Sequence, residues 1–281
     1  MKWGEWGAGF STSQYLDMIR RCIDLGVTTF DHADIYGHYT TEAAFGEALK
    51  EDPSLRSQIQ LITKCGICMV TPNRPDHKIK HYNTSTEHII RSAERSLKNL
   101  HTDYVDVLLI HRPDPLMDPH EIAEAFTQLK DSGKVRHFGV SNFNPSQVSM
   151  LHALFPVEIN QVEISLRHSE PLYNGVLDQC TQHGIMPQSW SPLGGGQIHA
   201  EADDEQGRKI HAMSEILAGK YGARFDQILL AWLLHHPTGI IPVVGTTRVD
   251  RIRDAMLARA IKMTREEWFM LLRAATGHEV P

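Results

Sequence analysis

The feature that most constrains this chain is an alternation. Short apolar runs rich in β-branched residues take turns with longer stretches whose apolar residues recur at helical spacing. The runs are 27–31 (VTTFD), 59–63 (IQLIT), 105–110 (VDVLLI), 135–140 (VRHFGV), 157–161 (VEINQ), 185–190 (IMPQSW) and 240–244 (IIPVV). The stretches between them carry helix start and stop chemistry. Thr84 with Glu87 reads as a capping box ahead of the stripe Ile89, Ala93, Leu97 and Leu100. Asp118, Pro119 and Glu121 open a helix whose buried face is Ile122, Ala125, Phe126 and Leu129, and Gly133 ends it. Asn144-Pro145, Glu170-Pro171 and Thr264 with Glu267 mark further starts, while Gly26 and Gly184 stand where a chain leaving a helix needs a positive φ.

Near-continuous apolar strands alternating with helices imply a parallel sheet covered by helices, either an open doubly wound sheet or a closed eight-stranded barrel. The 281 residues suit a barrel, which typically takes about 250, and the polar residues that break the pattern fall at the C-terminal ends of strands, where barrel active sites lie. A doubly wound nucleotide-binding sheet would show a G-x-G-x-x-G turn after its first strand, and the sequence has none. The expected fold is therefore α/β, a (β/α)8 barrel forming one domain over 1–281. Only seven strands are visible. Helical sequence begins near Ser11 or Ser13, so Met1 to Phe10, which reads as loop, must supply what remains of the first strand. The expectation is a first strand truncated at the N-terminus, leaving a destabilising open seam.

Composition removes several function classes. Lys plus Arg number 28 and Asp plus Glu 34, so the formal charge is −6 and the field does not favour a nucleic-acid backbone. No stretch approaches the roughly 18 to 20 apolar residues of a membrane helix, and the opening MKWGEWGAGF has an acid where a signal peptide would carry its apolar run; no membrane partner and a cytoplasmic location are expected. Cys22, Cys65, Cys68 and Cys180 are too few to staple a secreted scaffold of this length. Cys65-Gly-Ile-Cys68 has the spacing of a redox or zinc motif, yet no second pair accompanies it, and the 17 histidines include no His-x-His; no metal is expected.

Three strand ends carry the chemistry: Asp31 in 30–37 (FDHADIYG), Lys64 in 61–66 (LITKCG) and His111 in 108–114 (LLIHRPD), with Tyr36 five residues beyond Asp31. In a barrel these converge at one mouth. Taken singly, each is more often a surface, capping or core residue; four in this order are not. An ordinary Tyr, with a pKa of about 10, is a reluctant proton source and needs a neighbour that stabilises its anion. A cation at about 4 Å is worth roughly 4 kcal/mol at an effective dielectric near 20, before desolvation is set against it. Lys64 fits that role, Asp31 would keep Lys64 charged, and His111 could donate or orient a hydrogen bond at a substrate oxygen. Such a set suits protonation of a carbonyl oxygen. Lys64 also admits a Schiff-base aldolase reading, since lysines at barrel strand ends do that work.

The spacing in 31–36 (DHADIY), the pair Thr63-Lys64, the segment 110–114 (IHRPD) and the segment 138–143 (FGVSNF) resemble the aldo-keto reductases, a likeness that runs from about Thr12 through the last helix. The resemblance implies hydride transfer from NADPH to an aldehyde or ketone, with the dinucleotide extended across a barrel mouth. It also implies Tyr36 as general acid, Lys64 and Asp31 as its tuning pair, and His111 as the residue that orients substrate. For the cofactor it implies that Ser141, Asn142 and Gln161 hold the nicotinamide carboxamide and that Trp190, where Tyr is commoner, stacks on the ring. Ser191, Leu193 and Gly195 would line the pyrophosphate, the last within a Gly194-Gly195-Gly196 run that offers unhindered N–H groups. Gly245, Thr246, Thr247, Arg248 and Arg251 would hold the adenosine side, where a guanidinium grips a 2′-phosphate as a fork. Gly245 and Thr246 replace a Lys-Ser pair found in family members, and Ala255 replaces an adenine-contacting amide. Trp3 and Trp6 read either as a frayed terminus or as walls of the substrate pocket. Some relatives are regulatory or sensor proteins, so a non-catalytic NADP(H)-binding barrel is the alternative. Neither an oligomeric state nor a particular carbonyl compound follows from the sequence.

Overall fold

The computed structural model describes residues 2–279. Its packing groups the chain into two compact units, residues 1–160 with 245–249, and residues 161–244 with 250–281. In chain order the elements are α1 (Thr12–Asp24), β1 (Thr29–Asp31), α2 (Tyr36–Tyr39), α3 (Thr41–Glu51), β2 (Gln60–Cys65), β3 (Ile67–Cys68), β4 (His81–Tyr82), α4 (Thr86–Asn99), β5 (Val105–Ile110), α5 (Pro119–Asp131) and β6 (Val135–Ser141). They continue as α6 (Pro145–His152), β7 (Ile159–Glu163), α7 (Val176–His183), β8 (Met186–Trp190), α8 (Glu205–Tyr221), α9 (Phe225–Leu234), β9 (Ile241–Pro242), α10 (Val249–Leu257) and α11 (Arg265–Thr276). One sheet runs β1-β2-β5-β6-β7-β8-β9, and the β1–β2, β2–β5, β5–β6 and β8–β9 pairs are parallel. This is the (β/α)8 barrel fold, to which the described residues give seven strands. Residues 2–8 form turns and a bend, and α1 is the first regular element, capped by Ser11 as its reciprocal bonds with Gln14 show.

In the first unit the strands are apolar because helices cover them. All six residues of β5 are buried, and Ile62, Val107, Leu109 and Ile159 form an inner apolar layer. The helix α5 shows how the outer layer is specified. Asp118 accepts a hydrogen bond from the His120 amide at 2.8 Å, Pro119 occupies the first turn, and Ile122, Ala125, Phe126 and Leu129 are all buried. Each large apolar side chain on that face contributes about 1.5–3 kcal/mol relative to exposure. Gly139 in β6 has no room for a side chain, since a Cβ there would lie 2.4 Å from the Ile159 carbonyl oxygen. In the second unit the core centres on Trp232 and Trp268. Their rings stack at 4.9 Å, and each indole N–H donates to the other's carbonyl, at 3.2 and 3.0 Å.

Two local expectations shift. The cap of α4 is Ser85, whose hydroxyl accepts from the His88 amide, while Thr84 turns inward and donates to Asp114 at 3.3 Å. Between Cys65 and α4 the chain forms an extra antiparallel ladder of β3 with β4, pairing Ile67 with Tyr82 and Cys68 with His81.

Candidate active site

The four residues singled out at strand ends all lie in the first unit, and backbone pairing brings them together. Beyond β1 the chain stays bonded to β2: the His32 amide donates to Ile62 at 2.8 Å and the Asp34 amide to Lys64 at 3.0 Å. The Tyr36 amide then donates to the Ala33 carbonyl at 3.1 Å, which turns the phenol back over the strand ends. Directly after it, Gly37, His38 and Tyr39 all have φ between 55° and 71°. Left-handed conformations at His38 and Tyr39 cost about 1 kcal/mol or more each, and such strain gathers at functional sites. Gly37 is required on a second count, because a Cβ there would meet the Thr41 hydroxyl at 2.5 Å.

Lys64 is the centre of the arrangement. Its ammonium donates to both Asp31 carboxylate oxygens at 2.7 Å, to the His32 carbonyl at 2.9 Å and to the Tyr36 hydroxyl at 3.4 Å. Only 1% of the residue is exposed. A bare ammonium so deep would shed its proton. Burial does push the Lys64 pKa down, but Asp31 and Tyr36 more than offset that and leave it above the usual lysine value. Lys64 is thus a held cation. This weighs against the aldolase reading, which needs a neutral amine as nucleophile.

The Tyr36 phenol corrects a simpler expectation. Burial raises its pKa above the ordinary 10 and wins over the opposing pull of Lys64. The lysine therefore limits the rise instead of producing a net fall. His111 follows β5, anchored by its amide to the Cys65 carbonyl at 2.8 Å, and its ring stands edge-on to Tyr36 with centroids 5.9 Å apart. Burial, followed by the charges of Lys64 and Arg112, holds its pKa well below 6.5, so the ring is neutral at neutral pH. Its Nδ1 is buried and has no hydrogen-bond partner among the described residues.

The other sequence-picked residues fall into two sets, one per unit. In the first unit, Ser141 closes β6 and accepts from the Asn142 amide side chain at 2.7 Å, with Asn142 at φ 62°. Gly245, Thr246, Thr247 and Arg248 form an irregular segment. Gly245 has open space where a Cβ would be, the Arg248 amide donates to the Thr246 hydroxyl at 3.2 Å, and the Thr246 carbonyl accepts from the Trp3 indole at 2.7 Å. In the second unit, Gln161 donates to Gln188 at 2.9 Å, Trp190 ends β8, and Ser191 follows at φ 50°. Leu193 leads into the glycine run, where Gly195 and Gly196 face open space at positive φ; Arg251 is exposed on α10. Cys65 and Cys68 are buried free thiols, and no cluster of metal-ligating side chains occurs among the described residues. Trp3 is buried, whereas Trp6 is 43% exposed, with its ring 6.1 Å from Tyr36 and 5.3 Å from His38. Sequence reading missed the His32 carbonyl as a lysine partner, and no side-chain pattern signals a backbone acceptor.

Residues 1–274 match the family model described as the Aldo/keto reductase family. The oxidoreductase YcsN of Bacillus subtilis (strain 168) is 48% identical over 280 residues, covering 99% of this chain and 92% of that one. A 6-dehydroglucose reductase of Agrobacterium fabrum is 42% identical, covering 93% and 88%. Among solved structures, an aldo/keto reductase from Klebsiella pneumoniae in complex with NADP and acetate superposes with a TM-score of 0.76 at 26% identity, covering 93% of this chain and 85% of that one.

Proposed function

The chain belongs to the aldo/keto reductase family, and we propose that it uses NADPH to reduce the carbonyl of a small aldehyde or ketone, with Tyr36 as the proton donor. The observation that carries this reading is the buried Lys64 ammonium, fixed by Asp31 and within 3.4 Å of the Tyr36 hydroxyl. The buried His111 ring, whose Nδ1 has no hydrogen-bond partner among the described residues, suits a group that meets a substrate. Ser141, Asn142 and Gln161 would hold the carboxamide, Trp190 the nicotinamide face, and Ser191, Leu193 and Gly195 the pyrophosphate. Gly245 through Arg248, with Arg251, would hold the adenosine and its 2′-phosphate. Arg251 is exposed on α10, and a guanidinium can grip such a phosphate as a fork. Bound NADPH supplies the hydride.

The protein's own part is the proton. With its pKa above 10, Tyr36 keeps its hydroxyl proton through neutral pH and is loaded as an acid. The substrate oxygen becomes an alkoxide, a far stronger base than phenolate, and takes that proton from the Tyr36 Oη. The phenolate left behind faces the Lys64 ammonium, which needs no reorganisation to stabilise it. Asp31 prevents Lys64 from losing its charge, and neutral His111 can donate a hydrogen bond to the same oxygen.

The same proposal treats 1–281 as one domain, acting on small molecules in the cytoplasm. Four unpaired cysteines suit a reducing compartment, and no described helix is long and apolar enough to cross a membrane. Loss of NADPH absorbance with a panel of aldehydes, ketones and 6-dehydroglucose tests the reaction. Turnover is expected in the native protein and not in Tyr36→Phe, with cofactor affinity retained; substantial turnover in that variant contradicts the assignment. Calorimetric unfolding of the whole chain is expected as one transition, and two separable transitions would contradict the single domain.

A further inference from the structure

Behind the tetrad lies a carboxyl group that the proton-transfer scheme does not use. Glu42 sits in the first turn of α3, six residues beyond Tyr36, and only 2% of it is exposed. Its Oε1 accepts a 2.5 Å hydrogen bond from the hydroxyl of Thr63, itself wholly buried and the residue immediately before Lys64. Burial raises the pKa of this carboxyl group, against the lowering pull of the Thr63, Ser96 and Asn99 side chains, the last two at the C-terminal end of α4. One turn further along the same face of α3, Gly46 lets the helix touch α4 directly. A Cβ there would lie 1.9 Å from the Asn99 carbonyl oxygen, a separation no side chain survives. Glu42 and Gly46 thus fix α3 at two points one turn apart.

Between Tyr36 and Glu42 the chain has little freedom. The Thr40 hydroxyl donates to the Gly37 carbonyl at 2.5 Å, and the Thr40 amide donates to the Tyr36 and Gly37 carbonyls at 3.2 and 3.1 Å. A shift of α3 is therefore passed to Tyr36, while a shift of Thr63 is passed to Lys64. We propose that Glu42 is a positioning residue: its bond to Thr63 ties the helix that carries the Tyr36 turn to the strand that carries Lys64, and so sets the 3.4 Å separation of phenol and ammonium. The inference rests on the reading of Tyr36 as acid and Lys64 as its electrostatic partner, but the tie itself concerns a distance and can be measured without turnover.

Stability alone would also explain a buried, bonded glutamate, so the test needs a readout that a merely structural role leaves unmoved. The ionisation of Tyr36 is one. It is read as the ultraviolet difference titration between a protein with Tyr36 and its Tyr36→Phe counterpart, in four backgrounds: native, Glu42→Gln, Glu42→Leu and Thr63→Val. Glu42→Gln keeps an oxygen for the Thr63 hydroxyl and should titrate as the native protein does. In Glu42→Leu and Thr63→Val the ammonium is less well placed, its lowering pull on the phenol weakens, and Tyr36 should ionise at higher pH. Because both substitutions remove one bond, the double variant should shift no further than the larger single one. Where a substrate is turned over, the two disrupted variants should lose about tenfold in kcat with KM for NADPH unchanged. Thr63→Ser, which restores the hydroxyl in a smaller residue, guards against misfolding of the others and should recover the native titration. An unmoved Tyr36 titration in folded Glu42→Leu and Thr63→Val, judged by native cofactor affinity, overturns the proposal; so does a shift in Glu42→Gln as large as in Glu42→Leu. Failure of the native protein to reduce any carbonyl would sink the functional reading while leaving this titration to decide the tie.

Discussion

The first unit contains two regions assigned to one reaction and built in opposite ways. Around Lys64 the polar contacts are close: four oxygens surround the ammonium at 2.7 to 3.4 Å, and the Tyr36 turn is bonded to β2 and to itself. The segment Gly245–Arg248 is irregular and partly exposed, and the Trp3–Thr246 bond is one tie that holds it. The contrast suits the roles proposed for the two regions. A proton transfer is sensitive to fractions of an ångström, so its groups are over-determined by the fold. A grip on a charged, solvated group can come from flexible arginines, whose energy depends weakly on position and strongly on salt.

That contrast can be broken experimentally, beginning where the effect is largest. Tyr36→Phe removes the proton and should cut kcat by about a hundredfold to ten-thousandfold, measured as NADPH oxidation at saturating substrate. Lys64→Met should lower kcat by about a hundredfold. It should also cost up to about 3 kcal/mol in urea unfolding, because Asp31 is left half-buried without its cation. If stability is unchanged, the lysine is not held as described. Acid provides a gentler probe. His32 and His111, both beside the lysine, are held well below 6.5 by burial and by its charge. A depressed histidine pKa means that the unfolded chain binds more protons between the folded value and 6.5, so stability is complete above 6.5 and declines as the pH falls below it. The Tm should therefore drop several degrees between pH 7 and 5, and His32→Asn should flatten that slope. At the residues proposed for the adenosine side the effects shrink. Arg251→Ala should weaken NADPH by about fivefold, NADH hardly at all, and less at high salt; equal weakening of both would remove the 2′-phosphate assignment.

How much of this could be read in the sequence also divides along the same line. The strand 105–110 matches β5 residue for residue, and the face of α5 is buried as its spacing requires, because both depend on near neighbours in the chain. Asp31, Tyr36, Lys64 and His111 were legible because strand ends of a parallel barrel must meet. The ladder of β3 with β4 was not, since two-residue strands in a polar stretch carry no periodicity. The cap of α4 moved from Thr84 to Ser85 because Asn83-Thr84-Ser85-Thr86 offers several equivalent oxygens and only packing chooses between them. The bond between Thr63 and Glu42 joins residues 21 apart and has no local signature. The direction of the Tyr36 pKa was missed for a similar reason: a nearby cation can be foreseen, but the depth that outweighs it is a property of the folded state.

The central claim is that Tyr36, backed by Lys64, gives the proton. The pH profile of single-turnover carbonyl reduction tests it most directly, run on the native protein and on Lys64→Met. The account predicts a rate that holds through neutrality and declines only in the alkaline range of a phenol, with the decline moved to still higher pH when the ammonium is removed. A decline in the range of an imidazole, unmoved by Lys64→Met, would make His111 the acid and contradict the assignment of Tyr36.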